Sequence, residues 1–145
     1  MKLRTIGYEA ATQAAVIESL KRAGVAVVID VRAVASSRRA GFSKTVLAAS
    51  LAEAGIDYVH LRALGTPKAG RQAVRAGRIA EMEQIYEAHL TEPQAQLQLA
   101  EALEIARERS AALLCYEAEA LHCHRRIVAG RLVEAEPFAV EDLTP

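Results

Sequence analysis

Residues 25–32 read VAVVIDVR. From Val25 to Ile29 every residue is apolar and all but one are β-branched, the composition of a strand. The run is apolar on both faces, so it predicts a strand inside a parallel sheet; a half-exposed antiparallel strand would alternate. It delivers Asp30 and Arg32 at its carboxyl end. On either side the pattern repeats. Leu3 to Tyr8 predicts a strand, and Thr12 to Ala23 a helix stopped by Gly24. After the Ser- and Arg-rich loop Ala33 to Phe42, Ser43 is placed to cap a helix whose apolar face is Val46, Leu47, Leu51 and Ala54. Ile56 to Leu61 predicts a third strand, and Leu64 to Pro67 a turn. Helices are predicted over Lys68 to Gly77, Ile79 to Leu90, and from Thr91-Glu92-Pro93 to about Arg109. Pro137 to Leu143 predicts a short edge strand. Strands alternating with helices argue one three-layer α/β domain over residues 1–145, with a mostly parallel sheet flanked by helices.

The second decisive stretch is Ala111 to Arg126, AALLCYEAEALHCHRR. Ala112 to Tyr116 suits a buried strand. Glu117, Glu119, His122, Cys123, His124, Arg125 and Arg126 follow, and Ile127, Val128 and Leu132 resume at helical spacing. A helix N-terminus favours anions through its unpaired amides, and Arg125 in the first turn adds a forked donor matched to phosphate or carboxylate. Cys115 and Cys123 are the only cysteines, and both fall here. Gly7 and Tyr8, Asp30 and Arg32, Leu64 and Gly65, and Cys115 and Glu117 all follow carboxyl ends of predicted strands, the edge where open α/β sheets bind ligands.

A chain of 145 residues buries one sizeable core. It carries no apolar run long enough to span a bilayer and no signal-peptide segment, and its two cysteines make no disulfide framework. These features predict a cytoplasmic protein with reduced thiols and no membrane partner. Zero net charge hides an asymmetry: residues 1–80 hold 13 Lys and Arg against 5 Asp and Glu, and residues 81–145 the reverse. Two acid-free gaps enclose Arg32, Arg38, Arg39 and Lys44, and then Arg62, Lys68, Arg71, Arg75 and Arg78. On one face they would form a basic patch for phosphates or nucleic acid; otherwise they are solvated loops.

Each candidate residue also has a plainer role. Cys115, ending an apolar strand, can be a small buried hydrophobe, and Asp30 and Arg32 can form an internal ion pair that fixes the crevice. Arg38 and Arg39 on a loop can be simply solvated, and Tyr86 and His89 read as packing. Cys123 at a helix start is the better thiolate candidate on electrostatics, and a disulfide with Cys115 requires close Cα atoms. Cys115, His122, Cys123 and His124 invite a zinc reading, but adjacent residues seldom point at one ion and paired C-x-x-C spacing is absent, so neither a metal nor another cofactor is expected. The Cys-x5-Arg phosphatase loop is missing, because Leu121 stands six after Cys115.

The segments TIGYEA, VVIDVRAVASSRRAGFSK, AGIDYVHLRALG and LLCYEAEALHCHRR resemble the domain-of-unknown-function 488 family. Its pattern runs TIGYEG, then DVR, proline, serine and arginine, then Gly-Phe-Ser, Leu-Gly, and LLC-x-E with a later Cys-His-Arg. The resemblance places Tyr8, Asp30, Arg32, Ser37, Arg38, Gly41, Phe42, Leu64, Gly65, Cys115, Glu117, Cys123, His124 and Arg125 at motif positions. Ala10 replaces the usual glycine and Ala35 a proline. The resemblance strengthens the site and leaves the reaction open. Asp30-Val31-Arg32 is also similar to the DVR that ends a strand in rhodaneses, which keeps thiol and sulfur chemistry among the alternatives.

The reading that follows is a small enzyme acting on a phosphorylated or nucleotide-like ligand at the carboxyl ends of the strands. Cys115, Glu117, Cys123 and Asp30 are its catalytic candidates. Tyr8, Arg32, Arg38, His124 and Arg125 are its ligand-binding candidates. The competing class is a non-catalytic module binding nucleic acid or nucleotide through the basic first half.

Overall fold

The Val25–Asp30 run sits one strand in from the edge of a five-stranded, all-parallel sheet. The computed structural model describes residues 1–145. Its elements are β1 (Lys2–Gly7), α1 (Gln13–Arg22), β2 (Val27–Asp30), α2 (Lys44–Glu53), β3 (Asp57–His60), α3 (Lys68–Arg75), α4 (Ile79–Leu90), α5 (Pro93–Glu108), β4 (Ala111–Cys115), α6 (Arg125–Ala135) and β5 (Ala139–Leu143), with short 3-10 turns at Arg62–Leu64 and Ala120–His122. The strand order is β3-β2-β4-β1-β5, and every pair is parallel. The expected three-layer α/β architecture is therefore what the chain forms.

Alternation along the strands divides the interior in two. Leu3, Val27, Ile29, Ala111, Leu113 and Cys115 face one side, packed against residues of α3 to α6 such as Met82, Tyr86, Ala102, Val128 and Leu132. Ile6, Val28, Ala112 and Leu114 face the other, against Val16 and Leu20 of α1 and Leu47 and Leu51 of α2. Strands buried on both faces lose their period-two polarity, which is why β2 and β4 read as unbroken apolar runs. Val28, Ile29, Leu113 and Leu114 are all fully buried, each contributing about 1.5–3 kcal/mol of transfer free energy.

This division fixes where a ligand can sit. β4 lies between β1 and β2, and its own helix α6 packs on the face opposite to α1 and α2. Chain leaving β4 and chain leaving either neighbour thus diverge, opening a crevice beyond Cys115. β5 pairs only with β1 and lies at the edge, as expected, with Glu141 and Asp142 exposed along it.

Helix boundaries follow their capping chemistry. The Thr12 side chain accepts the Ala15 N–H at the start of α1, and Pro93 opens α5. Ser43 precedes α2 but makes no side-chain cap; its hydroxyl instead accepts the Ser37 N–H at 3.0 Å, tying down the Arg-rich loop.

Ala10 carries a positive φ of 61°, a left-handed conformation costing an L-residue about 1–2 kcal/mol. That explains why glycine suits this position better. Glycine also loses about 0.4–1 kcal/mol more chain entropy on folding. Ala10→Gly is therefore expected to stabilise the protein by about 0.5–1 kcal/mol in urea unfolding; Ala10 is exposed, so no packing change should mask the effect.

Candidate functional site

Beyond the ends of β1, β2 and β4 lies a pocket of about 410 Å³, within the size range of small-ligand sites. Tyr8 and Glu9 enter it after β1, Arg32 to Val34 after β2, and Cys115 to Glu117 after β4; His124, and Thr66, Arg71, Val74 and Arg75 at α3, complete the wall.

One side rests on a buried ion pair. Asp30 is wholly buried and Arg32 nearly so. The Arg32 guanidinium donates to both Asp30 oxygens, with Nη2 to Oδ2 at 2.7 Å, to the Tyr8 hydroxyl at 3.0 Å, and to the Phe42 carbonyl at 2.7 Å. Asp30 further accepts the Arg32 N–H and the Tyr58 hydroxyl. Burial pushes the Tyr58 phenol up, reinforced by Asp30. Tyr8 stacks on Phe42 with centroids 4.3 Å apart. These bonds use most of the Arg32 fork, and its charge is compensated in place.

The other side hangs on Arg125. This guanidinium is fully buried and donates to Thr5 Oγ1 at 3.1 Å, the Glu117 carbonyl at 2.5 Å and the Ala118 carbonyl at 3.2 Å. It straps the loop after β4 to β1. Gly7 permits the approach, because a Cβ there would stand 1.7 Å from the Glu117 carbonyl oxygen. Gly65 does the same for the loop after β2, whose Ala33 amide nitrogen would lie 2.1 Å from an added Cβ.

At the floor Cys115 Sγ lies 3.5 Å from Glu117 Oε2 and 3.6 Å from His124 Nδ1, and Cys123 Sγ lies 3.8 Å from the same nitrogen. His124 Nε2 is 2.6 Å from the Val31 carbonyl. A carbonyl can only accept, so Nε2 carries the proton and Nδ1 faces the sulfurs. Burial pushes the Cys115 thiol well up, aided by the neighbouring Cys123 sulfur. Burial also opposes ionisation of Cys123, but the neighbouring Cys115 thiol, the His124 ring and Arg125 together outweigh it and hold that thiol well below its ordinary value. His124 is raised, because the Cys123 sulfur outweighs the cost of burying the charged ring. Burial, then the Cys123 charge, pushes Glu117 up to about 7. The Tyr86 ring meets His124 edge-on at 5.1 Å, and its hydroxyl donates to the Leu64 carbonyl.

The candidates from sequence thus separate. Tyr8, Arg32, Cys115, Glu117 and His124 line the pocket. Asp30 lies beneath Arg32 as its counter-ion, and Cys123 lies behind Cys115 and His124. Arg38 is exposed on its loop, outside the lining. Arg125 spends its fork on Thr5 and two backbone carbonyls, and three of the four amides around residues 122–125, where an anion cradle is expected, already have partners. The amides of His122, Cys123 and Arg125 are taken by the Glu119 carbonyl, the Ala120 carbonyl and Cys123 Sγ. The helix begins at Arg125 with His124 as its cap, so Cys123 precedes it in extended backbone. That backbone change between Cys123 and His124 lets both side chains turn to one point: their ligand atoms and that of Cys115 lie within 4.8 Å of one another. His122 stays exposed beside Glu119. In the sequence Arg71 and Arg75 appear only as charge; their i,i+4 spacing puts both on one face of α3 without showing what that face overhangs. Nothing in the spacing of Tyr86 distinguished it from ordinary core.

Breaking a buried ion pair by neutralising one partner costs about 3–5 kcal/mol. Asp30→Asn is expected to lose that much in urea unfolding, whereas a purely catalytic Asp30 would leave stability unchanged. Gly7→Ala is expected to cost about 1–3 kcal/mol by the same measurement, the usual range for forced overpacking, because Glu117 must move.

No helix is long and apolar enough to cross a membrane. Neither the curated proteins nor the solved structures give a match to the chain. The family described as domain of unknown function DUF488 matches residues 12–132, a span that contains α1 to β4, the Cys-His-Arg segment and most of α6. The chain belongs to the DUF488 family.

Proposed function

We propose that the pocket is the active site of an enzyme acting on a phosphorylated or nucleotide-like ligand. The observation that carries this reading is that one cavity joins two arginines to a cluster of titratable groups: Arg71 and Arg75 stand on the α3 wall, with Glu117, Cys115 and His124 along the β4 side. Arg32 is committed to Asp30, so Arg71 and Arg75 are the arginines with donors to spare. Arg71 gives one nitrogen to the Thr66 carbonyl at 2.8 Å, which steadies the guanidinium and leaves the rest of its fork. Tyr116 is exposed at the rim, edge-on to Tyr8 at 5.4 Å, a flat apolar surface against which a base or sugar can rest. The phosphate end then lies toward α3, and the bond to be altered lies near Glu117, whose carboxyl is the acid–base group. A sulfur-carrying role for the thiols is less favoured, since Cys123 is wholly buried and Cys115 is 4% exposed.

Calorimetric titration with a nucleoside monophosphate tests the reading, with the unphosphorylated nucleoside as control. Arg71→Ala is expected to weaken phosphate-dependent binding by about 1.5–3 kcal/mol, the worth of a hydrogen bond to a charged group. Arg75→Ala is expected to cost only about 0.5–1 kcal/mol, because that side chain is exposed and screened. Equal affinity for nucleoside and nucleotide, or no loss in the Arg71→Ala, Arg75→Ala double variant, would remove the anion clamp. The nucleic-acid module is favoured instead by exposed Arg38, Lys44, Arg62 and Lys68. Oligonucleotide binding with a steep salt dependence, undisturbed in the double variant, would support that class.

A further inference from the structure

Two sulfurs and one ring nitrogen converge at the pocket floor. Cys115 Sγ and Cys123 Sγ lie 3.6 and 3.8 Å from His124 Nδ1, and all three atoms fall within 4.8 Å of one another. Thiolate and imidazole donors on a tetrahedral zinc-sized ion, at about 2.3 and 2.0–2.1 Å from it, are themselves separated by roughly 3.5–3.8 Å. The two sulfur–nitrogen edges already have nearly the length that such an ion requires, and the sulfur–sulfur edge, within 4.8 Å, lies within reach of it by small side-chain rotations.

The surroundings favour the same occupant. His124 donates from Nε2 to the Val31 carbonyl, the outer bond that orients a metal-binding imidazole and directs its free lone pair inward. Tyr86 packs against that ring and is itself anchored on Leu64, so the nitrogen cannot swing away. A single ion engages both sulfurs and the nitrogen at once. Two thiolates cancel a divalent charge, which avoids the large cost of leaving it unpaired in a buried place. The donor set selects against magnesium and calcium, which prefer oxygen.

We propose that Cys115, Cys123 and His124 bind a thiophilic divalent ion of the zinc class, leaving a fourth coordination position open to the pocket beside Glu117. Cys115 and His124 line the pocket and Cys123 lies behind them, so the open position faces the cavity. Glu117 Oε2, 3.5 Å from Cys115 Sγ, stands next to whatever occupies it, water or a ligand's anionic group. This site goes beyond the anion-clamp reading and does not rest on it, because all three donors are separate from Arg71 and Arg75.

Cobalt(II) titration of the full reduced chain, in the absence of phosphate or nucleotide, tests it. The expected result is saturation at a single ion per chain, with thiolate-to-cobalt charge-transfer bands in the near ultraviolet and intense visible bands of tetrahedral cobalt, both bleached by added zinc. Cys115→Ser and Cys123→Ser, confirmed as folded by circular dichroism, should lose charge-transfer intensity and bind at least about tenfold more weakly. Glu117→Gln, His122→Ala and Arg71→Ala should keep the bands. A folded wild-type chain without charge-transfer bands, or either serine variant with an undiminished spectrum, overturns the proposal. Should the serine variants not fold, thiol reactivity of the wild type decides: one equivalent of zinc, but not magnesium, protects both cysteines from an aromatic disulfide reagent, and unprotected cysteines refute the site. Loss of anion binding in Arg71→Ala with the cobalt spectrum intact refers to the clamp alone.

Discussion

The site depends on a buried cation that has no carboxylate of its own. Arg125 spends its guanidinium on Thr5 and on two backbone carbonyls after β4, and Thr5 Oγ1 in turn donates to Asp142 of β5. A guanidinium is always charged and offers its donors in a rigid plane, so it can brace a loop against a strand in one geometry only. The position of Glu117, the separation between Cys115 and Glu117, and the close passage over Gly7 all follow from that brace. Its field also lies on the thiols, favouring ionised sulfur in a place where burial alone would forbid it.

A second buried cation is treated differently. Arg32 has Asp30 as a bidentate partner and adds Tyr8 and Phe42. It joins the ends of β1 and β2 to the loop before α2, while Arg125 joins β1 to the loop after β4. The two arginines thus hold opposite walls of one crevice from within. The cavity itself is lined by other side chains, Glu117 and Cys115 at the β4 side and Arg71 and Arg75 on α3.

Much of this was legible in the residues. The runs Val25–Ile29 and Ala112–Tyr116 read as doubly buried strands, the second shifted by one residue in the structure to Ala111–Cys115, and the polar residues after them fall at one sheet edge because parallel strands share a direction. What the motif could not carry was orientation. Cys-His-Arg announces a dense polar cluster near a helix start, but a shift of helix onset to Arg125 decides that Arg125 turns inward to carbonyls while Cys123 and His124 turn together. That shift comes from the 3-10 turn at Ala120–His122, which has no distinctive signature in Glu-Ala-Leu-His. Arg71 and Arg75 were hidden for another reason: a short arginine-bearing helix reads as solvated surface until the sheet shows which loop it overhangs.

β4 is the next-to-last strand in sequence yet sits between β1 and β2, and its neighbouring bonds tie residues 93 and 120 positions apart, His124 to Val31 and Arg125 to Thr5. During synthesis β1 and β2 therefore emerge long before the strand that pairs with both, and their inner edges stay open until most of the chain has left the ribosome. Non-local pairing of this kind slows folding and leaves apolar strand edges available to other chains. A truncated product ending before Ala111 would carry two such edges and no means of closing them, so premature termination in this protein leads toward aggregation rather than toward a smaller folded unit.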